Sequence, residues 1–541
     1  MDDYRQRTLD TSYWPAWDGP PLRVTTLGDA LRDMARQAPD RLALVEELAE
    51  GDGRSWTYAK LAADAQACAQ ALLVRFKPGE RVAFWAHNLP EWIVGLYGCA
   101  MAGITLVTVN PAYKARELAY VLGKSQAAGL FVNTDYRGHD LVATARAVAK
   151  DLPALREIIP LDTFSAFLRE GQGGALPDVA PTDPAVIMFT SGTTGAQKGV
   201  IFTHMGVANM ARYTQARAGL EEGGVFVNAM PMFHIGSMGH AGIGTVMLGA
   251  THVLVPEWNP VAFMRAVERH GGTYSLLVPV MIEQLLAHPD RESYNLSTLK
   301  SLTSGASVVE AQLIRRIWSS LGATISNIYG QTEMHGSITG THPDDSPEDA
   351  ERTIGQPLPH VELRVADPTT GETVPLNTQG EIQSRGYQNM IAYFDMAEET
   401  AATITPEGWL RSGDLGEMDA RGFFKITGRI KDMIIRGGEN IYPREVEEVL
   451  MEAGGLATAA VIGIFHPEWG EEVGAVLQPM PGVTPDPDAL FARCRAELAH
   501  YKAPRLWYVV DQMPMTETGK LQKFRLVDEI ASGRIALVKR T

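Results

Sequence analysis

Strand-like and helix-like segments alternate through the N-terminal part of the chain. The pattern starts with a strand at 81–86, a helix at 91–102 and a strand at 104–109, and it resumes after a connector rich in Gly and Pro at 171–184. Strands joined by helices pair in parallel, because each helix returns the chain to the same end of the sheet. The alternation predicts an α/β fold whose N-terminal part contains two packed α/β lobes. In the second lobe, strands are expected at 186–189, 251–255, 274–278 and 324–328, and helices at 260–270 and 308–321.

The pattern differs in the remainder of the chain. A polar, acidic loop is expected at 342–352, and strands at 361–366 and 380–383 indicate a β-rich subdomain. Beyond that subdomain, strands and helices mix. We therefore predict a large N-terminal domain over residues 1–429, made of two packed α/β lobes plus the β-rich subdomain, and a small mobile α+β C-terminal domain over residues 430–541.

Composition disfavours several classes of protein. The 541 residues include 48 Lys and Arg against 64 Asp and Glu, so the net charge of −16 disfavours a protein that coats nucleic acid but permits local basic sites for anionic substrates. The three cysteines, Cys68, Cys99 and Cys494, fit no zinc-ligand spacing and indicate a reducing, cytoplasmic setting. The first residues lack the basic start and apolar stretch of a secretory signal, so none is expected.

An uncharged run at 92–109 has about the length of a membrane span. Two interpretations fit it: a transmembrane helix, or a buried helix followed by a turn and a strand. The glycines Gly95, Gly98 and Gly103 and the β-rich stretch at 104–109 favour the second interpretation. We therefore expect no integral membrane segment.

The run Thr190–Gly199 follows the apolar strand at 186–189 and reads Thr-Ser-Gly-Thr-Thr-Gly-Ala-Gln-Lys-Gly. Glycines expose backbone N–H groups, hydroxyls donate hydrogen bonds and a lysine neutralises negative charge, so the run suits a polyphosphate. It is not a Walker loop, which requires Gly in place of Gln197 and Ser or Thr in place of Gly199. A flexible solvated loop is the alternative interpretation.

Six further motifs follow in order along the chain. They are Ser304-Gly305-Ala306, Tyr329-Gly330-Gln331-Thr332-Glu333, Ser412-Gly413-Asp414, Gly428-Arg429-Ile430-Lys431-Asp432, Arg436-Gly437-Gly438-Glu439-Asn440 and Thr518-Gly519-Lys520. Together with the phosphate-loop run, this ordered set resembles the adenylate-forming superfamily, which contains acyl-CoA synthetases, luciferases and the adenylation domains of peptide synthetases. Each motif alone could arise by chance, but the resemblance extends over nearly the whole chain.

The resemblance implies an ATP site. Tyr329 would stack near adenine, Asp414 would bind the ribose hydroxyls, and Glu333 with Thr190 would hold Mg²⁺. Lys520 would bridge the substrate carboxylate and the α-phosphate during adenylation. The catalytic residues implied by the resemblance are Lys520, Glu333, Thr190 and His234. The ATP-binding residues that it implies are Thr190, Ser191, Gly192, Thr193, Thr194, Gly195, Lys198, Ser304, Gly305, Ala306, Tyr329, Gly330, Gln331, Thr332, Asp414, Arg429 and Lys520.

The resemblance also implies a second half-reaction served by the C-terminal domain. In the superfamily this domain rotates between the two steps, and the hinge falls at Lys431 in this sequence. The rotation would withdraw Lys520 and present a glycine-containing face to CoA, where small residues permit close backbone approach. The CoA-binding residues implied are Arg436, Gly437, Gly438 and Glu439. Taken singly, each segment also fits an ordinary turn or a solvated charge run.

A second uncharged run, at 223–255, contains His234 and His240. Its segment Met230–His234 is similar to the one that lines the acyl pocket in the superfamily, although a lone histidine is more often structural. The acyl-pocket residues implied are Phe233, His234, Met238, Gly305 and His335. The apolar character of the run favours an organic acid with a hydrophobic body, either aliphatic or aromatic.

The sequence therefore predicts an ATP-dependent acyl-CoA synthetase. It would convert a fatty or aromatic carboxylic acid to its CoA thioester through acyl-AMP, with Mg²⁺ as cofactor and with release of AMP and pyrophosphate. The expected partners are the small-molecule carboxylic acid, ATP and CoA, without nucleic acid, and a homodimer is compatible with the sequence. Two alternatives stay open: an adenylation enzyme that loads a separate carrier protein, and a catalytically silent nucleotide-binding regulator.

Overall fold

A computed structural model describes residues 7–17, 19–51, 53–171, 173–190, 197–305, 309–516 and 521–538. The chain divides into two compact units. Among the described residues, the first unit holds Trp14–Leu363 and Ser384–Leu410, and the second holds 7–13, Arg364–Gln383 and the residues from Arg411 onward. The predicted boundary between residues 429 and 430 separates the parts of the chain that would move relative to each other between the two reaction steps. It stays a prediction.

A six-stranded sheet forms the first lobe of the first unit. Its strands are parallel except at one edge, where Gly199–Thr203 runs antiparallel to Pro184–Phe189. In order across the sheet, the strands are Gly199–Thr203, Pro184–Phe189, Thr105–Val109, Arg81–Trp85, Gly129–Val132 and Glu157–Pro160. The helices of this part of the chain are Leu27–Gln37, Tyr58–Arg75, Pro90–Met101, Ala115–Ser125 and Leu141–Ala149.

The uncharged run at 92–109 lies in the core of this lobe. It forms most of the helix Pro90–Met101 and all of the strand Thr105–Val109, joined by a turn at Gly103, where φ is +65°. Pro90 suits the first helical position because its missing N–H would have no partner there in any case. The prediction of a buried helix, turn and strand is confirmed. None of the helices in the described ranges is long and apolar enough to cross a membrane.

A nine-stranded sheet forms the second lobe. In order across the sheet, the strands are Gln356–Pro357, Thr339–Gly340, Thr324–Tyr329, Ser301–Ser304, Tyr274–Leu276, Val225–Asn228, Thr251–Leu254, Leu42–Glu46 and Ser55–Thr57. Its longer helices are His204–Arg217, Pro260–His270, Pro279–Ala287 and Ala311–Leu321. The α/β class and the two-lobe prediction are confirmed.

One local prediction for this lobe is wrong. The segment 342–352, expected to be a loop, contains the helix Pro347–Arg352. Ser346 caps it by accepting a hydrogen bond from the N–H of Asp349 at 3.1 Å, and proline occupies its first position. Acidic residues in the first turn interact favourably with the positive end of the helix dipole. The capping serine, the proline and the acidic first turn are signals for the start of a helix. The acidic composition of the segment as a whole is instead typical of a loop.

The second unit contains most of one sheet and the whole of another. The first has the strands Tyr13–Trp14, Glu362–Ala366, Gly380–Arg385, Leu410–Met418 and Phe424–Arg429 in that order, which agrees with the predicted β-rich subdomain. The other has Glu439–Ile441, Ile434–Arg436, Gly470–Pro479, Leu506–Val509 and Leu537–Val538 in order, with Leu456–His466 paired to Gly470–Pro479. The accompanying helices are Pro443–Glu452, Pro487–Glu497 and Lys523–Ala531.

Candidate active site

Two glycine-bearing loops begin at one edge of the second-lobe sheet. The parallel neighbours Ser301–Ser304 and Thr324–Tyr329 end there side by side, which is where α/β sheets usually bind ligands. A Cβ on Gly305 would lie 2.6 Å from the carbonyl oxygen of Ile328, and one on Gly330 would lie 2.4 Å from another backbone carbonyl oxygen. Only glycine fits either position, because a side chain would collide with backbone.

The predicted nucleotide residues at this edge differ in their environment. Residues 329–333 are each partly exposed, as contact with a ligand requires, and Thr332 and Glu333 lie in a short 3₁₀ helix. Ser304 is fully buried, and its Oγ has no hydrogen bond within the described part of the chain. Ala306 lies outside the described residues.

Glu333 is held from two directions by the segment that follows Ser384. The hydroxyl of Tyr393 donates a hydrogen bond of 2.8 Å to Glu333 Oε1, and the N–H of Met390 donates one of 2.8 Å to the Glu333 carbonyl oxygen. Burial, together with the Glu333 carboxylate, raises the pKa of Tyr393. The phenol therefore keeps its proton and acts as the donor in this bond.

The base of the predicted phosphate loop is closed by the backbone. The N–H of Thr190 donates a hydrogen bond of 3.0 Å to the carbonyl oxygen of Lys198, so the loop starts and ends at one point. The Tyr120 hydroxyl donates a hydrogen bond of 2.7 Å to the carbonyl oxygen of Gln197. The predicted residues Ser191, Gly192, Thr193, Thr194 and Gly195 lie outside the described residues.

The segment 390–394 connects the phosphate loop to Glu333. It pairs through its backbone with the strand Gly199–Thr203, including a 2.7 Å hydrogen bond from the N–H of Phe394 to the carbonyl oxygen of Gly199. The ammonium of Lys198 lies 4.6 Å from the centroid of the Tyr393 ring, a cation–π distance. Tyr393 is thus a site residue that the motif analysis missed, since no spacing or composition distinguishes it in the sequence.

The described residues provide no group of three or more His, Cys, Asp or Glu that could hold a metal ion by themselves. Mg²⁺ usually takes one or two protein carboxylates and completes its shell with substrate phosphates and water. Glu333, which Tyr393 connects to Lys198 at the end of the phosphate loop, offers one such carboxylate. The role of Thr190 as a metal ligand stays a prediction.

His335 lies inside the core. Its Nε2 accepts a 3.1 Å hydrogen bond from the N–H of Thr203, and its Nδ1 donates to the carbonyl oxygen of Gln388. Burial lowers the pKa of His335 to about 4, so the ring is neutral at physiological pH. These contacts tie together three separate segments and make His335 a structural residue here, whereas its contact with an acyl group stays a prediction.

The other predicted acyl-pocket residues begin an irregular helical segment. His234 is partly exposed, and its Nδ1 accepts a 3.2 Å hydrogen bond from the N–H of Gly236. Phe233 is also partly exposed, whereas Met238 is fully buried. Met238 begins the π-helical turn Met238–Ile243, a departure from α-helical geometry that often occurs at functional sites.

In the second unit, Asp414 and Arg429 form a cross-strand pair. They lie opposite each other in the strands Leu410–Met418 and Phe424–Arg429, and Arg429 Nε is 2.8 Å from Asp414 Oδ1. The carboxylate is nearly buried, whereas the guanidinium is about one third exposed. The structure therefore brings the predicted ribose-binding residue and its predicted companion into direct contact.

The predicted CoA-binding residues form a hairpin turn. Gly437 and Gly438 have φ values of +58° and +89°, which favour glycine, and they join the strands that contain Arg436 and Glu439. Arg436 makes two hydrogen bonds, of 2.6 and 3.0 Å, to the carboxylate of Glu472. Lys431 lies in the preceding 3₁₀ turn, and Lys520 lies outside the described residues.

Comparison with known proteins identifies the family. The sequence model of the AMP-binding enzyme family matches residues 31–394, and that of the AMP-binding enzyme C-terminal domain matches residues 445–520. The chain is 34% identical to the mitochondrial medium-chain acyl-CoA ligase ACSF2 of Danio rerio, over 96% of this chain and 90% of that protein. It is 35% identical to a 7a-methyl-1,5-dioxo-octahydro-1H-inden-4-yl propanoyl:CoA ligase of Mycobacterium tuberculosis, over 93% and 98% of the two chains.

A solved structure gives the same result. ATP-bound MatB from Rhodopseudomonas palustris superposes with a TM-score of 0.84 at 28% identity, over 93% of this chain and 98% of that one. The family models, the relatives and this neighbour agree with the ordered motifs of the sequence. The chain therefore belongs to the AMP-binding enzyme family, within the adenylate-forming superfamily, and is an AMP-forming CoA ligase of the acyl-CoA synthetase type.

Proposed function

We propose that the protein activates a hydrophobic carboxylic acid with ATP, forms an acyl-AMP intermediate and transfers the acyl group to CoA. One observation carries the first step: a carboxylate, Glu333, and an ammonium group, Lys198, contact the same tyrosine beside a hydroxyl- and glycine-rich loop. A polyphosphate with its divalent cation needs both signs of charge at one place.

The first half-reaction makes the acid reactive. A carboxylate is a poor acyl donor because oxide is a very poor leaving group. Its oxygen therefore attacks the α-phosphorus of ATP, the bond from that phosphorus to the bridging oxygen breaks, and pyrophosphate leaves. Lys198 and the backbone N–H groups of the phosphate loop bind the polyphosphate, and Lys520 neutralises the charge that develops on the α-phosphate.

Mg²⁺ would be held by Glu333, with Thr190 nearby, and would supply charge neutralisation for the phosphate oxygens. The protein's own contribution is orientation. Glu333 Oε1 accepts a hydrogen bond from Tyr393, which fixes the position of the carboxylate.

The second half-reaction transfers the acyl group. The CoA thiolate attacks the acyl carbonyl carbon and AMP leaves with the electron pair of the broken C–O bond. The hairpin supports this assignment through Gly438, where an added Cβ would meet none of the described atoms within 4 Å, so an extended thiol arm can approach the backbone. Gly437 instead makes room for the ring of Trp469, which would lie 2.8 Å from an added Cβ.

The segment Met230–Ile243 supports a hydrophobic acid as substrate. Asn88 fixes its backbone, donating a 2.9 Å hydrogen bond to the carbonyl oxygen of Met230 and accepting one of 2.8 Å from the N–H of Met232. Three glycines of the segment lie near the terminal methyl group of a methionine, although the Cδ1 atom of an isoleucine is nearer to Gly239 and Gly242. Measured from the place of an added Cβ, the pairs are Gly236 with Met230 at 3.7 Å, Gly239 with Met210 at 3.4 Å and Gly242 with Met232 at 3.5 Å.

Methionine ends are unbranched and adaptable, so an acyl chain can displace them from a glycine surface at small cost. A fixed backbone with adaptable side chains suits hydrophobic acids of more than one shape. The names of the two relatives, a medium-chain acyl-CoA ligase and a ligase of a bicyclic propanoate, point to the same substrate class.

We also propose a reducing compartment, the cytoplasm, because Cys68, Cys99 and Cys494 are buried free thiols.

The products test the reaction. With a competent acid, ATP and CoA, the enzyme should yield AMP, pyrophosphate and thioester in equal amounts, as measured by chromatography. ADP and phosphate would contradict adenylation. Thioester formation on an added carrier protein but not on CoA would favour the carrier-loading alternative, and the absence of pyrophosphate release with every acid would favour a silent regulator.

A panel of acids tests the substrate class. Straight, branched and aromatic acids should give the highest kcat/KM, and short hydrophilic acids the lowest. Gly242→Ala places a methyl group 3.2 Å from Cδ1 of Ile93, so it should reduce kcat/KM for bulky acids more than for small ones. Gly174→Ala is the matched control, because an added Cβ there meets no atom within 4 Å.

A further inference from the structure

Tyr393 lies between the two charged groups on which ATP binding is proposed to depend. Its hydroxyl donates to Glu333 Oε1 at 2.8 Å, and the face of its ring lies 4.6 Å from Lys198 Nζ. The ring is held in place by the backbone, since the N–H of Tyr393 donates a 3.0 Å hydrogen bond to Thr400 Oγ1 and the residue bridges to Val200 of the phosphate-loop strand. One fixed side chain therefore contacts both groups.

The two contacts use different parts of the phenol. The face of an aromatic ring attracts a cation, whereas the hydroxyl hydrogen attracts an anion. With both contacts made, the ammonium lies over the face of the ring and the carboxylate accepts the hydrogen bond of the hydroxyl. Without the ring, the ammonium and the carboxylate could form a direct ion pair, and each would have to break it before binding a phosphate or a cation.

We propose that Tyr393 is a positioning residue that holds Lys198 and Glu333 apart, so that the ammonium stays available to the polyphosphate and the carboxylate to its divalent cation. This inference rests on the proposed function, since it assigns the ligands of both groups. Tyr393 does not touch the reacting atoms in this account. It acts through Glu333 and Lys198.

Equilibrium binding separates the two contacts. Tyr393→Phe removes the hydroxyl and keeps the ring, so the Glu333 carboxylate loses the hydrogen bond that orients it, and the Kd for ATP with Mg²⁺ should rise by up to about tenfold. The Kd for ATP in excess chelator should change by less than about twofold to threefold. Isothermal titration calorimetry measures both values without turnover.

Two comparisons complete this experiment. In a Glu333→Gln background, Tyr393→Phe should have no further effect on the metal-dependent Kd. Tyr58→Phe is the matched control, because its buried hydroxyl donates to the carbonyl oxygens of Thr245 and Ala250 instead. Equal weakening with and without metal, or additive losses in the double variant, would overturn the inference.

Labelling of Lys198 gives a test that needs no nucleotide. Reductive methylation attacks the neutral amine, so its rate at Lys198, measured by peptide mass spectrometry, reports how strongly the ammonium form is stabilised. Tyr393→Leu should slow it about tenfold, because a direct ion pair with Glu333 would hold the amine in its protonated, unreactive form. The slowing should vanish in the variant that also has Glu333→Gln.

The direction in which the methylation rate of Lys198 changes distinguishes a positioning role of Tyr393 from a purely cation–π role. If Tyr393 were only a cation–π partner, its loss would speed the methylation, and that result would overturn the inference, as would an unchanged rate. A wild-type chain that fails to bind ATP with Mg²⁺ would instead contradict the proposed function. The labelling comparison would still test the role of Tyr393.

Discussion

The two units hold their charged site residues in different ways. In the first unit, Glu333 and Lys198 contact a neutral tyrosine. In the second, Asp414 is paired with Arg429, and Arg436 is paired with Glu472. A charge that rests on a neutral partner can bind a ligand of opposite sign without first losing an ion pair. A charge in a buried pair is already compensated, and binding has to share or exchange that partner.

The comparison assigns different roles to the two sets. Substitutions of Glu333 and Lys198, which form no ion pair with another of the described residues, should reduce catalysis and leave the fold intact. Substitutions within the ion pairs should affect folding stability as well, because each leaves a partner without its counter-charge. Four variants are taken from the largest expected effect to the smallest, and three of them, at Glu333, Asp414 and Glu472, test this difference.

Lys520→Ala should have the largest effect. The loss of one preorganised charge at a transition state lowers the rate by about 10²–10³-fold. Supplied with presynthesised acyl-AMP and CoA, the variant should still form thioester at near the wild-type rate, because its role belongs to adenylation. Lys502→Ala, which breaks an ion pair with Glu445, is the control and should leave the ratio of the two half-reactions unchanged. Equal losses in both half-reactions would point to a structural role for Lys520.

Glu333→Gln should come next. It keeps the shape of the side chain and removes its charge, so pyrophosphate exchange should fall roughly 10²-fold, equivalent to about 2.7 kcal/mol of activation free energy. The loss should be greatest at limiting Mg²⁺, and the urea midpoint should stay near that of the wild type. Glu283→Gln, which alters an ion pair with Arg316 elsewhere in this unit, is the matched control. Unchanged exchange at limiting Mg²⁺ would remove Glu333 from the metal site.

Asp414→Asn should affect both function and folding. An amide binds ribose hydroxyls less strongly than a carboxylate, so kcat/KM for ATP should fall about tenfold. Arg429 also loses its counter-charge, which should lower the free energy of unfolding, as measured by urea denaturation. Glu417→Gln, whose partner Lys425 is 3.9 Å away on the same pair of strands, should change neither quantity much. If kcat/KM fell without any change in the free energy of unfolding, Asp414 would behave like Glu333 and Lys198 instead.

Glu472→Gln should have the smallest effect on adenylation. Burial raises the pKa of Glu472, but the hydrogen bonds and charge of Arg436 outweigh it, and the net pKa lies below its ordinary value of 4.5. A lowered folded-state pKa adds stability above that ordinary value, and this stability is lost as the pH falls through the folded pKa. The variant should therefore be less stable at pH 7 by about 1.5 kcal/mol, and the difference should shrink below pH 4.5. A constant difference down to pH 3 would exclude the ion pair as its cause.

Much of the candidate site could be predicted from the sequence. Glu333 and Lys198 lie in short motifs next to strands, and the roles proposed for them come from the resemblance of those motifs to the superfamily. Asp414 and Arg429 belong to separate motifs of the sequence. The pairing of their two strands brings them into contact in the structure. The helix Pro347–Arg352 has a capping serine and a proline as local start signals, whereas the acidic composition of 342–352 is more typical of a loop.

Tyr393 and His335 show what local pattern cannot provide. Tyr393 is far in sequence from both Lys198 and Glu333, and only the backbone pairing of 390–394 with Gly199–Thr203 brings its ring and hydroxyl to them. His335 follows a recognised motif, yet its contacts to Thr203 and Gln388 place it in the core.

The sequence by itself determined the fold class, the family and the identity of the charged groups, because alternating periodicity and glycine-rich motifs are local properties of the chain. Only the tertiary structure decided which charges are compensated and by what. Whether a carboxylate meets an arginine or a phenol depends on how distant segments pair and pack, and the free energy of that choice lies in contacts between residues that no local pattern relates.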